Sequence, residues 1–140
     1  MRTTPSIALN AAEAASRFGY LRTIGRVTGR EYEIEIWFAA DPEEPQRLFL
    51  LSGGRDRSNW VRNLRREPAL RFRIGERVWQ GSGRELAPSD PQDARARDLV
   101  CAKYNSDMSA DGARDFHDGA LPVVIELTEL ANLTDEEADA

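Results

Sequence analysis

The sequence predicts an α+β fold that is mainly β. About six mostly antiparallel strands curl into a small closed or half-closed barrel, flanked by about three helices. Three observations lead there. Residues 31–38, EYEIEIWF, alternate with period two, and residues 69–74, ALRFRI, do so again. Gly75 and Glu76 join two such runs as a two-residue hairpin with glycine first. Gly81 and Gly83 then fall inside a strand, where glycine marks a bulge or a sharp coil.

Each element can be justified in order. Within the N-terminal segment 1–18, residues 8–17 read as a short helix, because Asn10 and Glu13 have capping-box spacing before an alanine-rich run. Residues 20–26 form a strand and 27–29 a turn. In the strand 31–38, Tyr32, Ile34, Ile36 and Phe38 share one face, and Glu31, Glu33 and Glu35 the other. After the polar turn 41–45, the run RLFLL at 47–51 has the pattern of a strand buried on both faces. Asp56 is placed to cap a helix whose stripe is Trp60, Val61 and Leu64. Arg62, Arg65 and Arg66 suit its negative end, and Pro68 stops it. Strands 69–74 and 77–86 follow. A helix spans 87–105, with Asp90 at its cap and Pro91 in its first turn. Residues 106–112 read as a loop, 121–130 as the last strand, and the acidic tail 131–140 as frayed.

The chain of 140 residues reads as one domain, 1–140, with 41% apolar and 31% charged residues. No run approaches the roughly 18 apolar residues of a membrane helix. The first 18 residues lack the apolar core of a secretion signal, so a cytoplasmic protein is expected. Cys101 stands alone, which excludes an internal disulfide. A net charge of -5 argues against general nucleic-acid binding. Lys103 is the only lysine, so positive charge resides almost wholly in arginine, which grips phosphate and carboxylate in a bidentate way.

No metal site is legible, since the single histidine, His117, and Cys101 lie in different segments without ligand spacing. No nucleophile elbow or paired-carboxylate signature is present, and no catalytic side chain is assigned. Two segments suit an anion. GRVTGR at 25–30 sets Arg26, Thr28 and Arg30 around a glycine turn. SGGRDRS at 52–58 supplies two glycines, Arg55 and Arg57 before a helix N-terminus. Each reads either as an anion-gripping loop or as a structural turn with surface arginines. Trp60 likewise reads as a core aromatic or as a ring beside a flat cofactor, with Asn63 one turn further on.

The order and spacing of Gly25–Gly29, the strand 31–38, Trp60–Leu64 and Pro68 resemble the deazaflavin-dependent nitroreductase family of the flavin/deazaflavin oxidoreductases. The resemblance covers roughly 18–86, the helix around Tyr104 and the last strand. It implies the split β-barrel of the pyridoxamine-phosphate oxidases. It also implies transfer of a hydride from reduced coenzyme F420 to a nitro compound, quinone or conjugated enone. Carried over by position, Arg26, Thr28, Gly29 and Arg30 with Gly53, Gly54, Arg55 and Arg57 would hold the phosphate and acidic tail of F420. Glu33, Ile34, Glu35 and Ile36 would offer backbone to the ring, and Trp60, Asn63 and Leu64 would line the cleft. Tyr104 would face the substrate. FMN is the alternative cofactor on the same fold, and a non-catalytic flavin- or deazaflavin-binding protein the alternative role. A homodimer built across the sheet, with strand 31–38 at its interface, is open to such a fold.

Overall fold

A computed structural model of the chain describes residues 7–131. Seven strands form one wholly antiparallel sheet in the order β2-β1-β5-β6-β7-β4-β3, curled into a half-barrel. They are β1 (Gly19–Ile24), β2 (Glu31–Ile36), β3 (Ala39–Ala40), β4 (Arg47–Ser52), β5 (Ala69–Ile74), β6 (Arg77–Glu85) and β7 (Leu121–Leu130). The helices are α1 (Ala11–Ala14), α2 (Asn59–Arg66), α3 (Gln92–Tyr104) and α4 (Ala110–Gly119). Among the described residues no helix is long and apolar enough to cross a membrane.

Alternation along the strands sorts side chains into two cores. Leu21, Leu70, Phe72, Trp79 and Ile125 fill the inside of the curl with Val61 and Leu64 of α2. Phe49, Leu51 and Val124 face the other way, against Ala96, Val100 and Tyr104 of α3. β4 serves both cores, Leu48 and Leu50 on one side and Phe49 and Leu51 on the other, as its unbroken apolar run predicts. Of the two coiling glycines, Gly81 behaves as read. The register slips between Gln80 and Gly81, and a Cβ on Gly81 would lie 2.4 Å from the Glu126 carbonyl oxygen. Glycine therefore lets β6 and β7 close together where the sheet bends. Gly75 takes φ 58° in the hairpin turn.

Several boundaries differ from the sequence reading. The strand predicted over 31–38 ends at Ile36, and a two-residue strand, Ala39–Ala40, follows on the opposite edge of the sheet, which makes seven strands. The helix predicted over 8–17 has four residues, although its capping box forms, Asn10 N–H donating to Glu13 at 3.0 Å and Glu13 N–H to Asn10 at 2.8 Å. α2 starts after Ser58, because Asp56 is consumed in a single 3-10 turn, Arg55–Arg57. α3 starts one residue beyond Pro91, with the Asp90 carboxylate accepting from Gln92 N–H at 2.9 Å. Most of 106–112 is not loop, since α4 begins at Ala110. Its N-cap Ser109 accepts from Gly112 N–H at 3.0 Å, and a glycine at that position hides the helix from propensity. Residues 132–140 of the expected tail 131–140, and residues 1–6, lie outside the described residues.

Candidate functional site

The turn between β1 and β2 is built from its own backbone. Gly25 N–H donates to Arg30 O at 2.7 Å and Gly29 N–H to Gly25 O at 2.9 Å, with Gly29 at φ 74°. What fixes this turn in space is α2. Asn63, 4% exposed, accepts at Oδ1 from Arg26 N–H at 3.1 Å and from the Arg26 guanidinium at 2.9 Å. Its amide N–H donates to Thr23 Oγ1 at 3.1 Å, and Arg26 also donates to Asn59 Oδ1 at 3.2 Å. A buried amide whose oxygen and nitrogen are both satisfied is a rigid brace. The partners of Arg26 are neutral amides, so its positive charge is held in place without being cancelled.

Between the turn and α2 lies a cleft of about 350 Å³ with a mainly apolar wall. Arg26, Thr28, Glu33, Ile34, Trp60 and Asn63, all singled out in the sequence, meet there. Thr23, Gly25, Val27, Tyr32 and Asn59 line it too and are not among the site residues expected from the sequence. Tyr32 is 46% exposed and Val27 87% exposed, an unusual state for apolar side chains beside a cavity. The signal for Tyr32 was its place just past the turn, opposite Thr23 in the register.

The acidic side chains of β2 are partnered, Glu33 at the edge of the cleft included. Glu33 lies between Arg22 at 3.5 Å and Arg73 at 3.7 Å, and Glu31 pairs with Arg22 at 3.5 Å. Glu35 accepts from the Tyr20 hydroxyl at 3.0 Å, which raises the Tyr20 phenol above its ordinary range. Ile36 packs against the inner core. β2 is a sheet edge, so half of its backbone N–H and C=O groups face outward, unpaired by any strand.

The other sequence candidates are placed elsewhere. Gly29 and Arg30 are exposed on the turn, just outside the cleft lining. The loop of Gly53, Gly54 and Arg55 leans on α4. Arg55, at φ 55°, donates to Gly119 O at 2.6 Å, and Phe116 lies 3.7 Å from a Cβ built on Gly53. Arg57 is exposed on the approach to α2. Among the described residues, neither Arg30 nor Arg57 has a carboxylate partner. Leu64 is 5% exposed and faces the inner core, its outer side lining a separate hollow with Pro68 and Gly83. Tyr104 is 0% exposed and stacks on Trp37 at 4.3 Å. Its hydroxyl donates to Arg17 O at 2.9 Å and accepts from Phe38 N–H at 3.1 Å, and burial raises it above the ordinary phenol range. Beside it, Lys103 donates to Phe38 O at 2.9 Å, and burial, helped by Arg17, lowers its amine to about 8.

A family model described as F420H(2)-dependent quinone reductase matches residues 10–128. No curated protein matches the sequence. Among solved structures, the chain is similar to a conserved hypothetical protein from Mycobacterium tuberculosis, at 20% identity and TM-score 0.64, with 93% of this chain and 88% of that one covered. It is similar to a FAD-binding protein from Mesorhizobium loti at 16% identity and TM-score 0.62, covering 88% and 91%. It is similar to an F420 reductase at 18% identity and TM-score 0.59, covering 86% and 94%. At these identities the likenesses establish the fold, a split barrel.

Proposed function

Because the chain belongs to the F420H(2)-dependent quinone reductase family, we propose that the cleft between the β1–β2 turn and α2 is where it reduces a small oxidised acceptor. Coenzyme F420 is the cofactor of that family, and a quinone, a nitro compound or a conjugated enone is the acceptor class proposed here. The observation that carries the placement is the Arg26–Asn63 brace. It brings the glycine-arginine turn and the Trp60–Leu64 segment, far apart in sequence, to one cavity.

The residues present fit the cofactor. A phosphate and an acidic tail need cations that are not already neutralised, and Arg26, Arg30 and Arg57 supply them. A flat ring needs an apolar slot with backbone partners at its rim. Ile34 and Trp60 supply the slot, and the outward backbone of β2 supplies the partners. When bound, reduced F420 supplies the hydride. The chain's own work is positional. Asn63 fixes Arg26, Ile34 and Trp60 give the ring an apolar wall, and Arg22 and Arg73 beside Glu33 offset its negative charge.

Titrating the protein with F420 and following tryptophan quenching tests the assignment. Saturable binding in the micromolar range is expected, and Arg57→Ala, on an exposed residue, should weaken it roughly 10-fold or more. No binding by the unaltered chain, or uptake of FMN in preference to F420, would overturn the cofactor placement. Unchanged affinity in Arg57→Ala would remove Arg57 from the phosphate site.

A further inference from the structure

We infer that Tyr32 is the residue that grips the oxidised acceptor, its phenol donating a hydrogen bond to a carbonyl or nitro oxygen of that substrate. The inference rests on the cleft being the reducing site, as proposed above.

The Tyr32 ring is held from two sides. It lies where a side chain on residue 25 would stand, since a Cβ on Gly25 would meet the ring at 2.4 Å. Its hydroxyl is 2.9 Å from Thr28 Oγ1. Thr28 Oγ1 in turn accepts from Arg30 N–H at 3.2 Å. Hydrogen counting gives the rest. Two hydroxyls joined by one bond keep one O–H hydrogen unspent, whichever of them donates. Thr28, which already accepts from Arg30 N–H, can donate to the Tyr32 oxygen, and that arrangement leaves the phenol hydrogen free. A ligand oxygen at Tyr32 selects the arrangement that runs from Arg30 N–H through Thr28 to Tyr32 and ends on the phenol hydrogen, each bond polarising the next. That end lines the cleft on a side chain that is 46% exposed, open to a ligand yet fixed in direction.

The chemistry sought is neutral. A phosphate in the same region has Arg26 and Arg30 at hand, and a charged donor outcompetes a phenol for it. A carbonyl or nitro oxygen carries partial charge only, and a single well-aimed hydroxyl suits it. Hydrogen-bond donation to that oxygen draws electron density from the centre to be reduced, and no proton need leave Tyr32.

The test uses the full chain and three variants, Tyr32→Phe, Tyr32→Leu and Thr28→Val. Menadione is the acceptor probe. Its binding is read by tryptophan quenching without cofactor and by KM with F420H2 saturating. The dissociation constant for F420 is read separately by titration. Tyr32→Phe keeps the ring against Gly25 and loses only the hydroxyl. It should weaken menadione binding and raise KM by roughly 3–10-fold, leaving F420 affinity unchanged. Thr28→Val should shift menadione in the same direction, because the phenol loses its orienting partner. A Tyr32→Phe variant that behaves like the parent while Tyr32→Leu fails would reduce Tyr32 to packing and overturn the inference. A shift confined to F420 affinity would assign the hydroxyl to the cofactor and overturn it equally. A parent chain that binds neither F420 nor FMN would overturn the reading of the cleft and this inference with it. The parent binding F420 with menadione insensitive to Tyr32→Phe would overturn this inference alone.

Discussion

Asn63 shows how one side chain can make a site out of two distant segments. Its carbonyl takes both the backbone and the guanidinium of Arg26, and its amide reaches Thr23. Asn63→Ala would leave those buried groups unsatisfied and should cost about 1–3 kcal/mol in urea unfolding, with F420 affinity falling alongside. Asn63→Asp would keep the acceptor but lose the donor to Thr23 and neutralise Arg26, so F420 affinity should fall in it as well. In the sequence, the one-turn spacing of Trp60 and Asn63 suits a core stripe as well, and the cleft wall is implied only by the family resemblance. The inward brace was not legible, because it depends on β1 and α2 meeting, which no local pattern encodes. Tyr104 illustrates the opposite case. The resemblance turns it toward the substrate, whereas the stacked Trp37 and the backbone of Phe38 enclose it.

At the scale of elements, α3 and α4 are joined by a titrating clasp. His117 of α4 sits between Asp98 of α3 at 2.8 Å and its own neighbour Asp118 at 2.8 Å, with Arg97 of α3 donating to His117 O at 2.6 Å. Cys101 of α3 feels the same charges; burial first, then Asp98, raises its thiol. The hydrogen bonds that the imidazole donates to Asp98 and then to Asp118 raise it above its ordinary value. A histidine with a raised folded pKa stabilises fully below its unfolded pKa of about 6.5, and the gain is lost as pH rises through the raised value. Amide hydrogen exchange in α4, corrected for intrinsic rate, should therefore speed up as pH climbs through that window, and His117→Gln should remove the dependence. A pH-independent α4 in the unaltered chain would mean that the clasp carries no stability. Elements with strong period-two alternation, β5 above all, were legible to the residue. α4 was not, because a serine cap followed by glycines and aspartates carries turn chemistry and helix chemistry alike.

The whole molecule hangs on a sheet that bends at one point. Gly81→Ala would press a methyl against the Glu126 carbonyl at 2.4 Å, with only the backbone of Glu126 and Leu127 to meet it and no flexible tip to yield. A loss of about 3 kcal/mol in thermal or urea unfolding is expected, whereas alanine at Gly29, in open space, should cost only its backbone strain. The glycines that permit the bend could be read from the sequence; the strand order could not, since hydrophobic alternation says which face a strand buries and nothing about its neighbours. That order carries a temporal consequence. The last strand, β7, is not at an edge but lies between β6 and β4, pairing Ile125 with Leu48 on one side and with Gly83 on the other. It also supplies Val123 and Ile125 to one core and Val124 to the other. Neither core can close while the ribosome still holds residues 121–130, so a nascent chain carries an open seam with two exposed strand edges until translation has passed Leu130.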